Sequence, residues 1–88
     1  MEKITIKGHL LRFLHHCEKN NRIFHTSDIH NLSKRGENLF GFRLGSPTTY
    51  ERMWRKVREN GDVVAIEKKI GNKRESTWEI TGLFVEVT

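Results

Sequence analysis

The side chains best equipped for chemistry in this sequence are cationic, and they gather in one stretch. Thr48, Thr49, Arg52, Arg55 and Lys56 come first, and Lys68, Lys69, Lys73 and Arg74 follow. Arginine presents a planar fork of donors that grips a guanine edge or a phosphate through paired hydrogen bonds. Threonine is short enough to approach a base closely and carries a methyl that packs on thymine. From Arg43 to Arg74 nine basic residues face four acidic ones, Glu51, Glu59, Asp62 and Glu67. The rest of the chain holds seven of each sign, so the whole net charge of +5 belongs to this third. Such a concentration points to an anionic partner, either nucleic acid or an acidic surface.

Other chemistries are poorly served. His15-His16-Cys17 has the composition of a metal cluster, but neighbouring helical residues point about 100° apart and cannot close on one ion. His25 and His30 lack a cysteine pair or a His-x-x-x-His partner to support them. No metal and no other cofactor is expected. There is no Gly-rich phosphate loop and no nucleophile elbow, and Glu51, Glu59 and Glu67 read as solvated surface carboxylates. No enzymatic activity and no catalytic residue is expected. Trp54 and Trp78 could stack unpaired bases, yet both fall on the apolar stripes of their segments, which favours the core.

The cationic residues must be held by something, and hydrophobic spacing says what. Leu10, Phe13, Leu14 and Cys17 recur at i, i+3, i+4, i+7 and predict an amphipathic helix over residues 6–20. Arg22-Ile23-Phe24 suits a brief strand. Thr26 or Ser27 offers an N-cap, Ile29 and Leu32 an inward face, and Gly36 a stop, predicting a short helix over 27–35. Residues 37–45, broken by Gly41 and Gly45, read as a loop pinned to the core by its aromatics.

The third helix has the clearest start in the chain. Ser46 is a good N-cap, and Pro47 suits the first helical position, where its missing N–H has no partner to lose. Tyr50, Met53, Trp54 and Val57 form the inward stripe, and Asn60-Gly61 ends the helix. Thr48, Arg52, Arg55 and Glu59 then face outward, with Thr49 and Lys56 on a flank. Val63 to Ile70 and Thr77 to Thr81 alternate as strands around a basic, turn-like centre, which predicts a β-hairpin. The fold class is α+β.

This succession resembles the winged helix-turn-helix family. The likeness covers about Lys7 to Thr81 and rests on element order and on Ser46-Pro47-Thr48-Thr49-Tyr50 through Asn60-Gly61-Asp62-Val63-Val64. A departure is the connection from Gly36 to Gly45, longer than the usual three or four residues. The resemblance implies sequence-specific binding of double-stranded DNA, with base contacts from Thr48, Thr49 and Arg52. Backbone contacts would come from Ser46, Arg55, Lys56, Lys68, Lys69, Lys73 and Arg74. It implies a small transcription regulator, or the recognition domain of a replication initiator or nuclease of phage, plasmid or mobile-element type. The alternative is a winged protein-interaction module meeting an acidic partner.

Eighty-eight residues suffice for one domain with a thin core. Cys17 is the only cysteine, which excludes an internal disulfide and favours a reducing compartment. No apolar run approaches the roughly 18 residues of a membrane span, and the N-terminus lacks a signal-peptide pattern. A cytoplasmic, DNA-associated location is expected. Residues 82–88 are apolar and are expected to add a strand, pair with a second copy as a homodimer, or lead into a further domain.

Overall fold

The computed structural model describes residues 5–68 and 77–84; Lys69, Lys73 and Arg74, at the centre of the expected hairpin, lie outside the described residues. The described chain is α+β, three helices and a three-stranded antiparallel sheet in the order β1-β3-β2. Among the described residues no helix is long and apolar enough to cross a membrane.

Helix α1, Ile6–Lys19, starts where Thr5 accepts the Gly8 N–H on its hydroxyl at 3.0 Å. Leu10, Leu14 and Cys17 are buried as the stripe predicts, and Leu11 joins them. The helix closes at Asn20, and Asn21 turns left-handed at φ 50°. Strand β1 is only Phe24–His25, starting two residues and ending one residue later than the expected Arg22-Ile23-Phe24.

Helix α2, Thr26–Phe40, corrects the sequence reading at both ends. Its N-cap is His25 rather than Thr26 or Ser27, because Asp28 reaches back and accepts the His25 N–H at 2.9 Å. Gly36 does not stop the helix. It is buried in its interior, where a Cβ would stand 3.2 Å from both His9 Cε1 and the Tyr50 hydroxyl. The glycine there provides room, not a turn. The true stop is Gly41, left-handed at φ 78°, whose N–H donates to the Glu37 carbonyl at 3.0 Å.

Residues 37–40, expected in a loop, therefore form the last turn of α2. The connection to the next helix shrinks to residues 41–46. Its aromatics do not all pin it to the core. Phe40 packs edge-on against His9 at 5.3 Å, whereas Phe42 is 54% exposed. The anchor is polar instead: buried Ser33 donates to the Gly45 carbonyl at 2.5 Å, fixing the approach to the third helix.

Helix α3, Pro47–Glu59, follows its sequence signals. Ser46 Oγ accepts the Thr49 N–H at 3.2 Å, proline opens the first turn, and Gly61 at φ 78° ends the run. Tyr50, Trp54 and Val57 are fully buried, with Met53 at the core's edge. Strands β2, Val63–Lys68, and β3, Thr77–Leu83, pair with Glu67 opposite Trp78 and Lys68 opposite Thr77. An irregularity between Val64 and Ala65 lets the Thr81 hydroxyl donate to the Val64 carbonyl at 3.1 Å. Gly82 and Leu83 belong to β3, and residues 85–88 of the stretch expected to add a strand lie outside the described residues.

Helices and sheet meet through a chain of edge-to-face rings. Phe13 touches Phe24, Phe24 touches Trp54 and Trp54 touches Trp78, with centroids 5.3 to 5.4 Å apart. Each contact adds about 0.5–1.5 kcal/mol beyond the area it buries. Both tryptophans are thus core residues, at 1% and 8% exposure.

Candidate nucleic-acid interface

With Tyr50, Trp54 and Val57 committed to the core, the opposite side of α3 faces solvent. Thr48, Arg52, Arg55 and Lys56 are all exposed. Among the described residues no ion pair engages Arg52, Arg55 or Lys56. Of the nearby acids, Glu59 shares the outward face, whereas Glu51 and Asp62 contact other residues. Glu51 lies 3.0 Å from His30 Nε2, and Asp62 lies 3.3 Å from Lys7 Nζ. Arg52, Arg55 and Lys56 against Glu59 leave this face with a net positive charge, which is the electrostatic condition for binding an anion.

Ser46 and Thr49 are more constrained than the sequence suggested. Their hydroxyl oxygens lie 2.9 Å apart, and Ser46 Oγ also accepts the Thr49 N–H. Both side chains serve the N-cap, and Thr49 is half-buried. Thr48 and Arg52 are the freer pair in the first two turns.

Arg58 is the residue that sequence reasoning missed. Its guanidinium carbon lies 4.8 Å from the centroid of Trp54 and 4.4 Å from that of Trp78, and its Nε donates to the Trp54 carbonyl at 3.4 Å. Burial lowers its pKa, with Glu67 opposing that shift and Arg55 adding to it. The signal was available as the i, i+4 spacing from Trp54. Arg58 clamps the C-terminal half of α3 onto β3. Together with Glu51, Arg55, Thr26 and the two indoles it lines a shallow hollow of about 290 Å³ at the seam between helix and sheet. Trp78 donates its Nε1–H to Thr26 Oγ1 at 3.1 Å across the same seam. The sheet therefore adjoins α3 along the Arg55–Arg58 flank.

Lys68 is placed differently. Glu67 stands opposite Trp78, whose ring meets Trp54, so Lys68, the next residue along β2, belongs to the sheet's other face. There it pairs with Glu79 at 2.5 Å. Strand β2 is described as far as Lys68, and Lys69, Lys73 and Arg74 lie outside the described residues. Arg43, part of the same basic third, pairs with Glu37 at 3.1 Å.

Among the described residues no three His, Cys, Asp or Glu side chains gather as a metal site. Cys17 is buried, and that burial pushes its thiol up to about 11, so it is held as an unreactive core residue. No family model, curated protein or solved structure matches the chain.

Proposed function

We propose that this domain binds double-stranded DNA as a winged helix-turn-helix, with the N-terminal half of α3 in the major groove. The order helix, strand, helix, helix and two antiparallel strands supports that architecture, as does a sheet in which β1 pairs with β3. The shortened connection of residues 41–46 brings α2 and α3 closer to the usual arrangement than the sequence implied. One observation carries the reading: Arg52, Arg55 and Lys56 stand exposed and without ion-pair partners among the described residues, on a helix whose other side is fully buried. Arg52 is suited to a guanine edge, and Arg55 and Lys56 to flanking phosphates.

The test is selection of bound duplexes from a random pool at fixed salt, followed by anisotropy titrations across a salt series. The reading expects an enriched motif, and an affinity that falls with a log–log slope of about −0.9 per phosphate contact. A palindromic motif would favour a dimeric regulator, and a single half-site a recognition module within a larger initiator or nuclease. A pool that stays random, or single strands that displace the duplex freely, would end the proposal.

A further inference from the structure

Helices α1 and α2 enclose a groove of about 430 Å³ that no residue of α3 lines. Its floor is apolar, made by Phe13, Leu32, Leu39 and Phe40. Leu39, in the last turn of α2, contributes to this lining while 71% exposed. Around this floor stand Arg12, Arg22 and Arg35, all exposed, and among the described residues none of them forms an ion pair. Asp28 is the carboxylate in the lining, and it is engaged in capping α2 through the His25 N–H. His9 also lines the groove, and burial followed by the charge of Arg12 lowers its pKa, which keeps the ring neutral. The groove thus combines an apolar bed with surplus guanidinium groups.

We propose that this groove binds a small aromatic carboxylic acid, its ring on the Phe13–Phe40 floor and its carboxylate held by the arginine rim. Charge complementarity selects an anion, because three arginines face one committed aspartate. The apolar floor selects an organic body over a bare inorganic ion. The volume falls within the roughly 300–1,000 Å³ of small-ligand sites, whereas a macromolecular partner needs about 800 Å² on each side. Phe13 and Phe40 offer edge-to-face contacts, as Phe40 already makes with His9, and so favour an aromatic over an aliphatic acid.

The test is an ¹⁵N-resolved NMR titration of the full chain with 4-phenylbutyrate, octanoate, 4-phenylbutanamide and inorganic phosphate. The proposal expects 4-phenylbutyrate to shift amides of α1 and α2 saturably, with octanoate weaker. The amide analogue should bind roughly tenfold more weakly, and Arg12→Gln combined with Arg35→Gln should cost the acid a similar factor. Both arginines are exposed, so an unchanged melting temperature will show that the variant is folded. Equal binding of acid and amide, displacement by phosphate at comparable concentration, shifts confined to α3, or no saturable shift would each overturn it. No nucleic acid enters the experiment, so its outcome is separate from that of the duplex-binding test.

Discussion

The imidazole of His9 and the hydroxyl of Tyr50 meet at 2.8 Å inside the protein, joining the first turn of α1 to the first turn of α3. Tyr50 is fully buried and His9 is 8% exposed, so the pair is shielded from water. A neutral imidazole can accept the phenolic proton at Nδ1, and the edge of Phe40 packs against the same ring. The helix that carries the exposed arginines is therefore keyed to α1 by one polar contact within an apolar core.

That contact sets a pH dependence. Burial, and then the charge of Arg12, lowers the His9 pKa from 6.5. On acidification the unfolded chain takes up its proton first, so it binds more protons than the folded one and stability rises with pH. The His9 contribution is fully present above about 6.5 and is lost as pH falls from there towards the lower folded-state value. Urea midpoints should drop between pH 7 and 5, and His9→Gln, which does not titrate, should flatten the decline. Parallel curves for the two proteins would show that His9 is not the group responsible.

Gly36 gives a second prediction, because two effects oppose each other there. Alanine is favoured over glycine within a helix by about 0.5–1 kcal/mol. Its Cβ, however, would press at 3.2 Å on both His9 and Tyr50, which hold each other and have little room to retreat. The clash should win, leaving Gly36→Ala destabilised by roughly 1–2 kcal/mol. Tyr50→Phe removes the hydroxyl and one of the two clashes, so Gly36→Ala should cost less in that background. A strictly additive double-mutant cycle would contradict the packing argument.

The same glycine shows where a sequence can and cannot be read. Ser46, Pro47 and Gly61 mark α3 by local chemistry, a cap, a fixed φ and a left-handed turn, and the structure places the helix accordingly. Gly36 carries the same local signature as a helix stop, but its cause is tertiary: it leaves space for side chains 27 and 14 positions away. His9 sits just before the Leu10 stripe, and nothing nearby in sequence announces its partner in α3. Arg52, Arg55 and Lys56 could be placed on the wet face by winding a helix. The engagement of Thr49 in the cap, the pairing of Lys68 with Glu79 and the groove between α1 and α2 depend on contacts made only after folding.

Arg58 supports a third prediction, on stability rather than recognition. A guanidinium over two indoles contributes about 0.5–1 kcal/mol per ring at a half-exposed site. Arg58→Ala should therefore cost roughly 1–2 kcal/mol. Arg58→Lys should recover less than half of that, because the ammonium keeps the charge but loses the planar stack. Thermal unfolding followed by tryptophan fluorescence reads both. If lysine were as good as arginine, the contact would be charge alone, and the clamp between α3 and β3 would have to come from Trp54 and Trp78 themselves.

The last prediction separates the two basic regions. Arg52 and Arg55 project from α3 with no acid to hold them among the described residues, whereas Lys68 is paired with Glu79 on the sheet face away from Trp78. Arg52→Ala should relax discrimination at one base position and cost about 1–3 kcal/mol on the selected duplex. Arg55→Ala should weaken all duplexes alike and reduce the salt slope by about one. Lys68→Ala should change neither, because a phosphate would have to displace a carboxylate already in contact with the ammonium. Parallel anisotropy titrations of the three variants over a salt series decide the matter. A loss for Lys68→Ala as large as that for Arg55→Ala would put the outer face of the sheet against the nucleic acid, and the docking of α3 would have to be redrawn around it.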